Sequence, residues 1–319
     1  MTTAFAARVA ALAPLALLLA CGTESPSAVE PKLQAMSFAN AEWSEPVHVD
    51  APVNSRFREL GAALSPDELS LYFGSDRPGL GAQGAFDIWV SRRACRECPW
   101  EDPVNLGPNI NSPGGDGGPA LSRDGHLLFF SGSRDGGEGG EDIWVSQRTD
   151  PNDDLSWGPP VNLGPNVNTA ANEGGPEYVP ALNGGEADFY FTRGDDIYQA
   201  RVTRDGEALG PAVPVAELND PTAFDGNLTV RADGREAYFW STRLGGMGAA
   251  DIWVTTRRSP HDPWSPPVSG GSTLNTRFAD LTPKLSQDGR TLLFSAAAAG
   301  RPSLGFQDIW MSTRTPNGR

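Results

Sequence analysis

The sequence has few residues of the kinds that most often carry chemistry or bind nucleic acid. Its 319 residues include three Cys and three His, and no cluster of basic side chains occurs. The formal net charge of -15 argues against nucleic acid as a partner, because phosphate binding needs a basic face. His48, His126 and His261 lie far apart in the sequence, and none stands near a candidate nucleophile. A catalytic triad and a zinc site therefore lack support.

Long hydrophobic runs are also scarce. The run from Val9 to Ala20 follows Arg8, is too short to span a bilayer and has the form of a secretory signal. It ends in Leu18-Leu19-Ala20-Cys21, which resembles the lipobox of bacterial lipoproteins. The resemblance implies cleavage before Cys21 and acylation of that residue as a lipid anchor. An ordinary cleavable signal followed by an incidental Cys is the alternative.

The N-terminal region is accordingly divided into a signal peptide at residues 1–20 and a flexible tether at residues 21–42. The tether is rich in Ser, Pro, Ala and Glu and shows no period. Gly22 after the Cys favours the outer membrane, by the sorting habit of enterobacterial lipoproteins. We expect a monomer in the cell envelope, facing the periplasm or the cell surface, that touches the membrane through its anchor alone.

An Asp-Ile-aromatic triplet recurs five times at intervals of 54 to 57 residues. The triplets begin at Asp87, Asp142, Asp196, Asp251 and Asp308. An apolar strand precedes each triplet and contains Phe73, Phe130, Phe191, Phe239 or Phe294. A Trp-x-x-Pro-Val element recurs at Trp43, Trp100, Trp157 and Trp264, with Leu209 in place of the Trp in the remaining copy. Each repeat therefore predicts four strands, with the proline-bearing strand at the sheet edge.

Four-stranded sheets repeated radially are the blades of a propeller. We therefore predict an all-β fold, a five-bladed β-propeller of four-stranded antiparallel blades, at residues 43–314, with a short tail at residues 315–319. The strand predicted at residues 43–50 precedes any inner strand, whereas the last repeat lacks an outer one. The N-terminal strand should complete the last blade and close the ring.

The segment LSRDGHLLFFSGSRDGGEGGEDIW at residues 121–144 resembles the WD40-like β-propeller repeat of the C-terminal domain of TolB. The resemblance extends five times over residues 43–314 and implies the fold, but little about activity. TolB has six blades and an additional α/β domain, so the resemblance does not extend to its partners.

Five acidic residues recur shortly after an Asn in the loops before the predicted inner strands. These acids are Glu59, Asp116, Glu173, Asp225 and Asp280, and the Asn residues are Asn54, Asn111, Asn168, Asn219 and Asn275. We expect the carboxylates near one mouth of the central channel, where they are candidate ligands for a cation or a sugar. Alternatively, each acid ties its own loop in place, as recurrence in every blade would favour.

Blade three departs from the repeat, because its second loop is short and Tyr198 replaces the triplet Trp. A notch at the rim is therefore expected near Tyr178, Arg193 and Asp195, which are added to the candidate ligand-binding residues.

The loop of blade two holds the extra acids Asp135, Glu138 and Glu141 among glycines. These acids are candidate calcium ligands, although their spacing does not match that of an EF-hand loop, and a solvated flexible loop is the favoured alternative. No other cofactor is expected. Cys95 and Cys98 are close enough in sequence to form a local disulfide outside the cytoplasm.

The leading functional prediction is a lipid-anchored binding or scaffold protein that presents its channel mouth to a protein, peptide or glycan. It depends on the fold, the anchor and the lack of a catalytic constellation, so no catalytic residue is assigned and an enzyme is the less favoured outcome. The alternative is a glycoside hydrolase or sialidase-like enzyme. That chemistry would need two channel carboxylates roughly 5 to 10 Å apart.

Overall fold

In residues 42–181 and 185–316, which a computed structural model describes, twenty strands form five four-stranded sheets. The predicted signal peptide, the anchor Cys21 and almost all of the tether lie outside the described residues, as do residues 317–319. All described residues belong to one unit of the chain. Within these residues, no helix is long and apolar enough to cross a membrane.

Each sheet is one antiparallel blade. The chain enters through β1 (Val47–His48). Blade one contains β2 (Glu59–Leu64), β3 (Ser70–Ser75), β4 (Asp87–Arg92) and β5 (Val104–Asn105). Blade two contains β6 (Asp116–Leu121), β7 (Leu127–Gly132), β8 (Asp142–Gln147) and β9 (Val161–Asn162). Blade three contains β10 (Glu173–Pro180), β11 (Ala187–Arg193), β12 (Asp196–Val202) and β13 (Val213–Pro214).

The last two blades follow the same order from the channel outward. Blade four contains β14 (Asp225–Val230), β15 (Glu236–Ser241), β16 (Asp251–Thr256) and β17 (Val268–Ser269). A single helical turn, α1 (Gly271–Leu274), leads into blade five, which contains β18 (Asp280–Leu285), β19 (Thr291–Ala297) and β20 (Gln307–Thr313). The predicted all-β, five-bladed propeller is confirmed.

The ring closes through the N-terminal strand, as predicted. Strand β1 pairs with β20, with Val47 opposite Met311 and His48 opposite Trp310. The fourth strand of blade five therefore comes from the opposite end of the described chain, and the two ends are joined by strand pairing.

The apolar cores lie where neighbouring blades face each other. The Phe residue of each second strand is at most 1% exposed, because a blade covers each face of its sheet. Clusters combine residues of successive blades, as where Tyr72 of β3 packs with Phe130 of β7 and Trp157. The repeat thus supplies one apolar layer for each junction between blades.

The recurring Asn residues tie each loop to the blade before it. The side chain of Asn168 accepts a hydrogen bond from the Ile143 N–H at 2.8 Å and donates to the Ile143 carbonyl at 2.9 Å. The same pair of bonds joins Asn111 to Ile88, Asn219 to Ile197, Asn275 to Ile252 and Asn54 to Ile309. The amide behaves as a one-residue extension of the sheet and satisfies backbone groups that would otherwise be buried without partners.

The central channel is too narrow to hold a substrate. Its middle encloses about 20 Å³ between the inner strands. Gly175 has φ +59°, and a side chain there would lie 2.3 Å from the Asn227 Nδ2 atom. Further along, Lys284 of blade five donates to the Glu177 carboxylate of blade three at 2.6 Å, across the channel. A substrate or ligand must therefore bind at the ends of the channel or on the surface.

Candidate active site at the channel mouth

The five inner strands begin at the five predicted acids, around one end of the channel, which we call the channel mouth. The residue before each triplet lies beside the neighbouring inner strand. The Asp116 N–H donates to the Phe86 carbonyl at 2.8 Å, and the Glu173 N–H donates to the Glu141 carbonyl at 2.6 Å. The residues in this position are Phe86, Glu141, Asp195, Ala250 and Gln307, so this position differs in every blade.

The five predicted acids are buried and engaged within their own loops. Glu59 is fully buried and accepts from the Ser55 hydroxyl at 2.6 Å and from the Arg77 guanidinium at 2.8 Å. The other acid–arginine pairs are Asp116–Arg134, Glu173–Arg193, Asp225–Arg243 and Asp280–Arg301. In each blade, the arginine also lies over the Phe of the second strand. This geometry favours the structural role that recurrence suggested.

The pair in blade five is looser than the others. Arg301 Nε lies 3.5 Å from the Asp280 carboxylate, and both atoms lack a hydrogen bond within the described residues. Burial raises the pKa of the Asp280 carboxyl, although Thr276 and Arg301 act in the opposite direction. The reason is visible in the sequence, because Arg301 comes seven residues after Phe294, whereas the other arginines follow their Phe by two or four.

The structure does not bring together the three residues of the predicted notch in blade three. Tyr178 pairs with Phe189 towards the far end of β10 and stacks on Phe129 of blade two. Arg193 lies at the mouth, where it pairs with Glu173. Asp195 is exposed at the mouth, and its carboxylate forms no ion pair in the described part of the chain. Only Asp195 therefore combines a mouth position with an available carboxylate.

Glu141 is a partly buried carboxyl group at the mouth with a raised pKa. Burial raises the pKa of Glu141, with the Ser131 hydroxyl lowering it and the Asp116 charge raising it further. Asp135 and Glu138 of the same loop are exposed. Within residues 42–181 and 185–316, no three His, Cys, Asp or Glu side chains are grouped closely enough to hold a metal ion. Glu141 is thus a half-buried acid in a position where Phe86 stands in blade one.

Two aromatic rings lie in the part of the mouth formed by blade four, next to Asp195 of blade three. The rings of Phe224 and Trp240 stack with centroids 4.4 Å apart, and Trp240 Nε1 donates to the Asn227 side chain at 2.8 Å. In the other blades the position of Trp240 holds a small residue: Gly74, Ser131, Thr192 or Ser295. This pair was not predicted from the sequence, although an alignment of the second strands shows Trp240 in place of a small residue.

The disulfide between Cys95 and Cys98 lies in the hairpin between β4 and β5 of blade one. Its two cysteines are only three residues apart, so it closes a single local turn. We assign it no part in the chemistry of the mouth.

No protein-family model and no curated protein sequence matches the chain. Solved structures match its fold. An α-L-arabinofuranosidase from Lactobacillus brevis is 12% identical and has a TM-score of 0.54, covering 84% of this chain and 94% of its own. The arabinanase of Bacillus subtilis is 12% identical with a TM-score of 0.53, over 82% of this chain and 94% of its own. A putative TolB from Agrobacterium tumefaciens reaches a TM-score of only 0.45 at 16% identity, with coverages of 80% and 82%.

The leading prediction of a binding or scaffold protein is corrected by this comparison. The solved structures that cover most of the chain with the same fold include glycoside hydrolases, which favours the alternative prediction of a glycosidase. At 10 to 12% identity, the likeness itself shows the fold alone. Any catalytic chemistry depends on the residues at the mouth.

Proposed function

We propose that the protein is a glycoside hydrolase that works at the channel mouth. Glu141 is the general acid, Asp195 supplies the second carboxylate, and the Phe224–Trp240 pair holds a sugar ring. The observation that carries the proposal is the raised pKa of Glu141 at an open end of the propeller. A glycosidase needs one carboxyl group that stays protonated long enough to give its proton to the leaving oxygen.

The position of Glu141 fits this role because its charge is not neutralised by a cation. No ion pair in the described part of the chain includes its carboxylate, unlike Glu59 and its four equivalents. Protonation of Glu141 therefore costs no salt bridge. The five predicted acids could take part in proton transfer only by giving up an arginine, which makes them poor candidates.

Asp195 lies one blade further round the same mouth. Its carbonyl accepts from the Asp225 N–H at 2.8 Å, just as the Glu141 carbonyl accepts from Glu173, so the two residues occupy equivalent positions in adjacent blades. The exposed side chain of Asp195 can reach a water molecule or a sugar. An acid and a solvent-accessible carboxylate on opposite sides of one bond are the two parts that glycoside hydrolysis requires.

The substrate class follows from the matched structures and the aromatic platform. Flat aromatic faces pack well against sugar rings, since each has an apolar face beside polar edges. The neighbours' activities point to arabinose-containing glycans as first substrates. We further propose that Cys21 anchors the enzyme at the cell envelope and that its repeats belong to the WD40-like type of TolB, as the sequence predicted.

The test measures sugar release by the purified full chain. The substrates are 4-nitrophenyl α-L-arabinofuranoside, linear arabinan and arabinoxylan. We expect hydrolysis of at least one of them, and we expect Glu141→Gln to lower kcat about 100-fold or more, as loss of a general acid does. The pH profile should also lose its alkaline limb in this variant, because that limb reports ionisation of the acid.

Glu138→Gln provides the matched control, since it removes the same charge from an exposed position in the same loop. Its activity should equal that of the wild type. Absence of hydrolysis on all three substrates, or full activity of Glu141→Gln, would contradict the proposal.

A further inference from the structure

Three junctions between blades share a Tyr, an Arg and a Trp. The Tyr comes from the second strand of one blade, and the Arg and Trp come from the next blade. The three sets are Tyr72, Arg148 and Trp157; Tyr190, Arg257 and Trp264; and Tyr238, Arg314 and Trp43. In all three, the guanidinium lies 4.0 to 4.4 Å above the Trp ring. The junctions differ in what lies between the Tyr and the Arg.

At two of the junctions a buried carboxylate joins the Tyr to the Arg. Asp154 accepts from the Tyr72 hydroxyl and, at 2.9 Å, from Arg148 Nη1. Glu236 accepts from the Tyr238 hydroxyl at 2.7 Å and from Arg314 Nη1 at 2.8 Å. In both places one carboxylate oxygen bridges the phenol and the guanidinium.

At the junction between blades three and four, the bridging carboxylate is missing. Tyr190 is fully buried, and its hydroxyl has no acceptor for its proton among the described residues, because the groups that face it, Arg257 and Trp264, are donors. Arg257 donates from Nε to the Gly234 carbonyl at 2.6 Å, and no carboxylate of the described residues forms an ion pair with it. A buried phenol without an acceptor costs free energy, so Tyr190 and Arg257 can both take an acceptor that the described residues do not supply.

The bridging carboxylate is missing because the residue in the position of Glu236 has a shorter side chain. Asp188 precedes Tyr190 by two residues, as Glu236 precedes Tyr238. The Asp188 carboxylate instead accepts from Gln199 at 3.1 Å and lies 3.4 Å from Arg201 in its own blade. The Asp188 side chain is one methylene shorter than that of Glu236, and its carboxylate contacts its own blade and not Arg257.

The same junction opens to solvent through a cavity of about 650 Å³. Arg257 and Trp264 line it, together with Asp188, Glu217 and Asp233. Val179 and Pro180 also line it, at the end of β10 away from the channel mouth. A cavity of this size suits a ligand of one or two sugar rings.

We propose that this cavity binds the carboxylate of a uronic acid residue. The ligand's carboxylate binds Arg257, which lines the cavity, in the role that Asp154 and Glu236 have at the other junctions. Tyr190 lies next to Arg257 but does not itself line the cavity.

Of the acids that line the cavity, Glu186 and Asp188 are paired with Arg201, so Arg257 remains to offset the charge of one ligand carboxylate. The other lining acids disfavour a second negative charge and accept hydrogen bonds from hydroxyl groups, which selects a sugar acid with a single carboxylate. Trp264 offers an apolar wall for the ring. This site lies apart from the channel mouth, and its occupancy does not depend on hydrolysis.

Binding to the purified full chain is measured by titration calorimetry and by the indole NMR signals. The probes are D-glucuronate, D-galacturonate, D-glucose, acetate and L-alanine. We expect a uronate to bind and to shift the Trp264 indole signal, with glucose, acetate and alanine at least ten-fold weaker. Arg257→Gln should weaken uronate binding ten-fold or more. Asp188→Glu should do the same by placing a carboxylate beside Arg257, and it keeps the test open if Arg257→Gln does not fold.

Arg258→Gln is the matched control, since the adjacent Arg258 is exposed and does not line the cavity. It should bind like the wild type. Glucose binding as tightly as a uronate, or uronate binding that survives both Arg257→Gln and Asp188→Glu, would overturn the carboxylate site. Equal or tighter binding of acetate or alanine would overturn the assignment to a sugar acid. Loss of activity at the mouth would leave these binding results unaffected, so this inference and the proposed hydrolase can fail separately.

Discussion

The channel mouth contains two sets of residues, one that recurs in every blade and one that varies between blades. One set is the same in every blade: a buried acid paired with an arginine, and an Asn bonded to a triplet Ile. The other set differs from blade to blade, as in Glu141 beside Phe86, or Trp240 where Ser131 stands in blade two. Apart from the looser Asp280–Arg301 pair, the invariant set pairs its charges within its own blade, whereas the variable set leaves groups available to a ligand. Stability should therefore depend on the first set and activity on the second.

The largest effect on stability is expected from breaking an acid–arginine pair. Arg77→Ala leaves the fully buried Glu59 without its cation, which should lower the free energy of unfolding by about 3–5 kcal/mol in urea denaturation. Arg58→Ala is the control in the same blade, because the Arg58–Asp76 pair has an arginine that is 48% exposed, and it should cost less than about 1 kcal/mol. Equal costs for the two variants would mean that the mouth acids do not hold the blades.

A smaller loss is expected when an Asn tie is removed. Asn168→Ala leaves the buried N–H and carbonyl of Ile143 without partners, which should cost about 2 kcal/mol of unfolding free energy. Asn152→Ala, in an exposed loop of the same blade, should change it by less than about 0.5 kcal/mol. An Asn168→Ala variant as stable as Asn152→Ala would show that the amide is not needed to join the blades.

The invariant set was largely predictable from the sequence, since regular spacing encodes it. The triplets, the strand Phe residues and the unmatched N-terminal strand were enough to predict five blades and the closure through β1. The position of each acid at the start of an inner strand also followed from the spacing. The partner of each acid did not, because Arg77 and Arg301 reach their acids from different distances along the loop.

The variable set could be recognised only in part. Asp195 and Glu141 could be recognised as departures from the repeat, but nothing in the repeat pattern indicates that Glu141 is half-buried while Glu138 is exposed. The orphaned Tyr190 hydroxyl depends on which way Asp188 points. Side-chain direction and the packing of one blade on the next decide both features, and a repeat pattern contains neither.

The smallest effect is expected at Glu141, and its sign distinguishes the two sets. Burial raises the pKa of Glu141 in the folded state, so the stability that this group contributes is present below its unfolded pKa of about 4.3 and is lost as the pH rises through the folded value. Glu141→Gln cannot lose a proton and should therefore be more stable than the wild type at pH 8, within about 1 kcal/mol, with a smaller difference at pH 4. Urea denaturation at the two pH values measures this, with Glu138→Gln as the control that should show no such change. The opposite result would be a free energy of unfolding that increases with pH in the wild type relative to Glu141→Gln. It would assign Glu141 to the invariant set, because only a paired carboxylate stabilises the fold when it ionises.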